Sequence, residues 1–205
     1  MKRTLGLALS ASALFLGGCT ADWAKQNDSA ILFEIGQIVA VSNTAAAGTS
    51  GNVLYSDVSK VINDDLQLVI NIFQKNPNIT ASSPNNHVYL DSYRVRFFRT
   101  DGRNVEGVDV PLSITGPLSL RIHTPSSGTE QEVTVNITAV RQQAKLEPPL
   151  RNLLGGPVSL PGSTNSGGAI VLTTVAEVTV FGRTLTGSNV TATGRIQVTF
   201  ADFVD

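Results

Sequence analysis

One feature constrains this chain more than any other: apolar side chains recur at every second position, in segment after segment. Ile31, Phe33, Ile35, Val39 and Val41 share one parity, as do Leu66, Leu68, Ile70 and Ile72, and again Val133, Val135, Ile137 and Ala139. In residues 88–99 Tyr93, Val95 and Phe97 fall on one side and Arg94, Arg96 and Phe98 on the other. In residues 190–203 Val190, Ala192, Ile196, Val198 and Phe200 alternate with Thr191, Thr193, Arg195, Gln197 and Thr199. Successive side chains of a strand point to opposite faces of its sheet, so this rhythm describes strands with one buried and one wetted face. Further extended segments at 53–58, 116–123 and 169–181, with Asn, Pro, Gly and Ser between them, bring the expectation to about eight strands. Gly36 interrupts the first rhythm and marks a candidate bulge.

The only helical signal is residues 148–154, where Pro148 and Pro149 suit a first turn and Leu150, Leu153 and Leu154 share a face. It spans at most about two turns. Strands at short spacing, with no alternation of strand and long helix, predict an all-β fold: an antiparallel immunoglobulin-like β-sandwich of about eight strands with at most one short helix. Residues 30–205 are expected to form it as a single domain.

The start of the chain follows a different logic. Lys2 and Arg3 precede an apolar run over residues 5–16, then come Gly17, Gly18 and Cys19. That layout is a secretion signal, since the run is shorter than the roughly 20 residues a membrane helix requires. The string Leu16-Gly17-Gly18-Cys19 resembles the lipobox of bacterial lipoproteins, and Cys19 is the only cysteine of the chain. The resemblance covers the leader and cut site alone. It implies cleavage after Gly18, a lipid on Cys19 and membrane attachment in the cell envelope. Thr20, where an aspartate would resemble an inner-membrane retention signal, implies the outer membrane. Residues 19–29 then form the lipidated cysteine and tether, about 35 Å long at most.

A lone cysteine leaves no disulfide. Cleavage removes Lys2 and Arg3 and so takes the net charge from −1 to −3. With no basic stretch in the sequence, nucleic acid is not an expected partner. His87 and His123 are the only histidines, and the run His123-Thr124-Pro125-Ser126 places a histidine near a serine without a third orienting group. No G-x-S-x-G elbow, paired Cys/His spacing or glycine-rich phosphate loop is present. Oxygen ligands for a hard cation could come from Asp101, Asn104, Glu106 and Asp109, or from Asn63, Asp64 and Asp65, but the same residue types build ordinary turns.

These observations predict a non-catalytic envelope lipoprotein, without metal or cofactor, that binds or scaffolds a protein partner. The alternative is a carbohydrate or small-ligand binding lipoprotein. Phe98, Arg94 and Arg96, turned away from the expected core, together with Asp101 and Arg103 in the following turn, are the candidate partner contacts. The loops at 76–86, 101–109 and 161–167 are candidate recognition surfaces, because a sandwich gathers its loops at two ends.

Overall fold

The structure is a computed structural model that describes residues 29–41, 51–76, 78, 81, 83–125, 130–155 and 170–203. The leader, Cys19, the tether up to residue 28, Ser126 and the 161–167 loop lie outside the described residues. Eight strands are formed: β1 (Ile31–Val41), β2 (Val53–Asp57), β3 (Asp64–Gln74), β4 (Val88–Phe98), β5 (Ile114–Ile122), β6 (Gln131–Val140), β7 (Leu172–Thr184) and β8 (Asn189–Ala201). They make a three-stranded sheet of order β1-β3-β6 and a five-stranded sheet of order β2-β8-β7-β4-β5. The all-β sandwich expected from the alternation is the fold.

Its core lies where the inner parities of the two sheets meet. Phe33, Leu66, Leu68, Ile70 and Ile72 from one sheet, and Val95, Val178, Val198 and Phe200 from the other, are essentially inaccessible. Each such side chain contributes about 1.5–3 kcal/mol on burial. Phe97 meets Phe200 edge to face at 5.7 Å between ring centres. Gly194, on the inner face of β8, leaves the room that Ile35 and Ile38 of β1 occupy.

Two details depart from the sequence reading. The register of β1 against β3 shifts between Ile35 and Gln37, so Gly36 is a bulge. The extra residue reverses the parity: Ala40 is buried while Val41, expected inside, is 38% exposed. The sandwich is also not wholly antiparallel, because β2 runs parallel to β8. Local patterning carries no information on strand direction, and a parallel pair needs a long connection, here nearly the whole domain.

The helical signal is displaced too. Residues Leu150–Leu153 form a 3-10 turn with Leu150 and Leu153 buried, and the only α-helix among the described residues is α1 (Gln142–Lys145). This single turn drives Lys145 into the end of the sandwich. There its Nζ donates to Asp64 at 2.9 Å and to the Lys60 carbonyl at 3.1 Å, with both ionic side chains fully buried. Ser56 Oγ donates to the same carboxylate at 2.6 Å. Burial pushes the Asp64 carboxyl above its ordinary range, against the opposing pull of Lys145 and Ser56.

Candidate functional site

The register of the five-stranded sheet decides which outward side chains become neighbours. Crossing from β5 to β8, one row reads Arg121, Tyr89, Arg183, Asn189, and the next Pro117, Ser92, Phe181, Thr191. The rows that follow are Thr115, Arg94, Thr179, Thr193, then Arg96, Glu177, Arg195, then Phe98, Val175, Gln197. Every arginine here occupies the polar parity of its strand, so the alternation that buries the core also gathers the guanidinium groups outside.

Five of the chain's ten arginines thus share one face, and no lysine among the described residues joins them. Two carboxylates accompany them. Glu177 accepts from Arg195 at 2.8 and 3.1 Å, and Asp91 lies 3.8 Å from Arg183. Arg94, Arg96 and Arg121 make no ion pair among the described residues. The face carries a formal charge of +3 on a chain whose total is −1. The outer face of the three-stranded sheet is its opposite: among the described residues Glu34, Asp65 and Glu132 are its only charged ones.

Aromatic rings hold the guanidinium groups in place. Arg94 lies over Phe181 at 5.7 Å, Arg195 over Phe98 at 5.7 Å and Arg121 over Tyr89 at 5.8 Å, all within cation–π range. Between them runs a shallow groove of about 600 Å³ lined by Arg94, Glu177, Thr179, Phe181, Thr193 and Arg195, among others. A guanidinium over a ring can still offer its N–H edge, as Arg195 does to Glu177, and the planar fork matches carboxylate, sulfate or phosphate oxygens in pairs.

The sequence-derived contact residues divide into two groups. Arg94, Arg96 and Phe98 lie on this face. Asp101 and Arg103 belong instead to an exposed loop that satisfies itself. The Arg99 guanidinium clasps Asp101 and holds its carboxyl below the usual range, Arg103 bonds Asp109 at 3.1 Å, and Asn104 accepts from the Arg99 backbone at 2.6 Å. Glu106 accepts from Ser113. The oxygens read as possible cation ligands are therefore taken up by donors of the chain itself. Asn63, Asp64 and Asp65 diverge: Asn63 accepts from the Gln142 backbone, Asp64 turns inward to Lys145, and Asp65 accepts from Thr138 on the outer side.

Arg121, Phe181, Arg183 and Arg195 were not singled out by the sequence reading. Their parities were visible, but not that β7 is inserted between β4 and β8. No basic stretch marks this face in the sequence because its arginines come from four strands, and an even net charge concealed two sheet faces of opposite sign.

His123, which the sequence set beside a serine, meets His87. Thr124 N–H donates to His87 Nδ1 at 3.1 Å, so His87 Nε2 carries the proton and donates to His123 Nδ1 at 3.3 Å. Burial, then the charges of His123 and Arg121, lowers the pKa of His87. With its Nδ1 already an acceptor, neutral His87 has no nitrogen lone pair left for a metal.

No protein-family model matches the chain, and no curated protein does. Among solved structures it is similar to a Bordetella pertussis protein assigned as ApaA, at 10% identity and a TM-score of 0.30 over 83% of this chain and 92% of that one. It is also similar to a β-glucosidase from Listeria innocua, at 9% identity and a TM-score of 0.32 over 82% of this chain but 16% of the enzyme.

Proposed function

We propose that this protein is a lipid-anchored, non-catalytic binding module of the bacterial envelope, and that it meets its partner through the arginine-bearing face of the five-stranded sheet. The observation that carries the reading is the set of three arginines, Arg94, Arg96 and Arg121, that make no ion pair among the described residues, Glu177 opposite Arg96 being engaged by Arg195. Positive charges held together repel one another, and the fold gains little from their proximity, so an external anion is the natural complement. The leader and the Leu16-Gly17-Gly18-Cys19 string support the anchor, and Thr20 after the cysteine supports the outer membrane as its location. Carbohydrate is the second reading, favoured by the groove and by the threonine and serine hydroxyls between the arginines.

Two experiments test the two halves. In cells labelled with radioactive palmitate, the wild-type protein should carry label and Cys19→Ala should carry none; label retained by the variant removes the anchor. A photo-crosslinking amino acid in place of Phe181 should form an adduct in intact cells, whereas one in place of Thr134, on the acidic outer face, should not. Equal adducts at both positions would refute the assignment of the face.

A further inference from the structure

Resting on that reading of the face, and taking up its second, carbohydrate form, the structure points to a definite ligand class: we propose that it binds a carboxylate-bearing polysaccharide, a chain of uronic-acid type. Three observations lead there. First, all the cations are arginines, although the chain has five lysines elsewhere. Diffuse attraction to a charged surface is served equally by either residue, whereas paired recognition of a planar carboxylate favours the guanidinium fork.

Second, Tyr89, Phe98 and Phe181, the rings that stand among these arginines, each already have a guanidinium over them, while Tyr55 on the edge strand β2 packs edge-on against Phe203. Stacking of nucleobases, or of neutral sugars on an open aromatic platform, needs a free ring face. Here the rings serve as pedestals that aim the N–H groups, which leaves the ligand's charge as the feature recognised.

Third, the geometry is repetitive and polar. Arg94 and Arg96 stand about 7 Å apart along β4, and Arg195 about 10 Å across the sheet from Arg96. Thr179, Thr191, Thr193, Thr115 and Ser92 fill the intervals. A polymer with regularly repeated carboxylates separated by hydroxyl groups complements that pattern. A protein partner would be expected to seek large apolar anchors, and among the described residues of this face Tyr89 is the large apolar side chain most open to solvent, Phe98 and Phe181 being half-buried beneath arginines.

The test uses the full-length protein, expressed with its own leader and purified in a neutral detergent. Its binding to polygalacturonate is measured by titration calorimetry, with dextran of equal length as the neutral control. Polygalacturonate should bind and dextran should not. Arg94→Gln with Arg96→Gln should weaken binding by at least about tenfold, while Arg141→Gln with Arg151→Gln, an equal charge loss at exposed positions off the face, should stay within about twofold. Circular dichroism and melting curves show whether each variant is folded. Arg94→Lys with Arg96→Lys should also weaken binding severalfold, since charge is kept and the fork is lost. Full affinity in the lysine variant, or unchanged affinity in the glutamine variant, overturns the proposal. So does arginine-dependent binding of phosphatidylglycerol vesicles, single-stranded DNA or an acidic peptide more tightly than polygalacturonate; the binding face would then stand with a different ligand. If no anionic probe binds and the Phe181 crosslinker also captures nothing, both readings fall.

Discussion

Lys145 and Asp64 form an ion pair without solvent, and the two ends of such a pair are not equivalent to its whole. Lys145→Ala leaves a buried carboxylate with no counter-charge and should cost about 3–5 kcal/mol. Lys145→Met combined with Asp64→Asn, which keeps an acceptor for Ser56, should recover most of that loss in urea denaturation. A double variant no more stable than Lys145→Ala would contradict this account. His87 supplies a second residue-level test, through pH. Its pKa lies below the ordinary 6.5 in the folded chain, so the unfolded chain binds the proton more readily. The stability this group contributes is complete above about pH 6.5 and is lost as pH falls towards the lowered native value. His87→Gln should flatten melting temperature against pH in that window. A slope equal to that of the wild type would assign the dependence to other groups.

At the scale of the element, glycine marks where strands approach too closely for a side chain. A Cβ on Gly182 of β7 would sit 2.5 Å from the backbone carbonyl of Tyr89 on β4, an atom that cannot swing aside. Gly182→Ala should therefore destabilise by about 1–3 kcal/mol, and it should also disturb the row that carries Arg121, Tyr89 and Arg183. On β8, Ile196 is buried and Gln197 exposed. Ile196→Asp should cost several kcal/mol and Gln197→Asp little, by the same denaturation assay. Which strands exist, and which side of each is wet, was legible because alternation is a local property. Arg94, Arg96 and Phe98 were found that way. What alternation could not give is adjacency: Arg96 and Arg195 are 99 positions apart in the chain, and only the insertion of β7 between their strands brings them to one row. The parity of β1 after Gly36 was lost for a related reason, since a bulge adds one residue and a period of two has no memory across it.

On the whole-molecule scale the two outer faces are of opposite sign, with Glu34, Asp65 and Glu132 on one and the arginines on the other. A net charge near zero therefore describes neither surface. The molecule carries a dipole across its thickness, which would orient it towards an anionic partner as it approaches and would weaken with added salt. Such polarity is invisible in composition, which averages over precisely the separation that folding creates.

The parallel pairing of β2 with β8 sets an order of assembly. In the five-stranded sheet β2 pairs only with β8, so residues 53–57 have no strand to pair with in that sheet until residues 189–201 are available. A chain delivered N-terminus first, by ribosome or by translocation channel, cannot complete this sheet while it is still emerging. The five-stranded sheet therefore closes last at β2, after β8 has emerged.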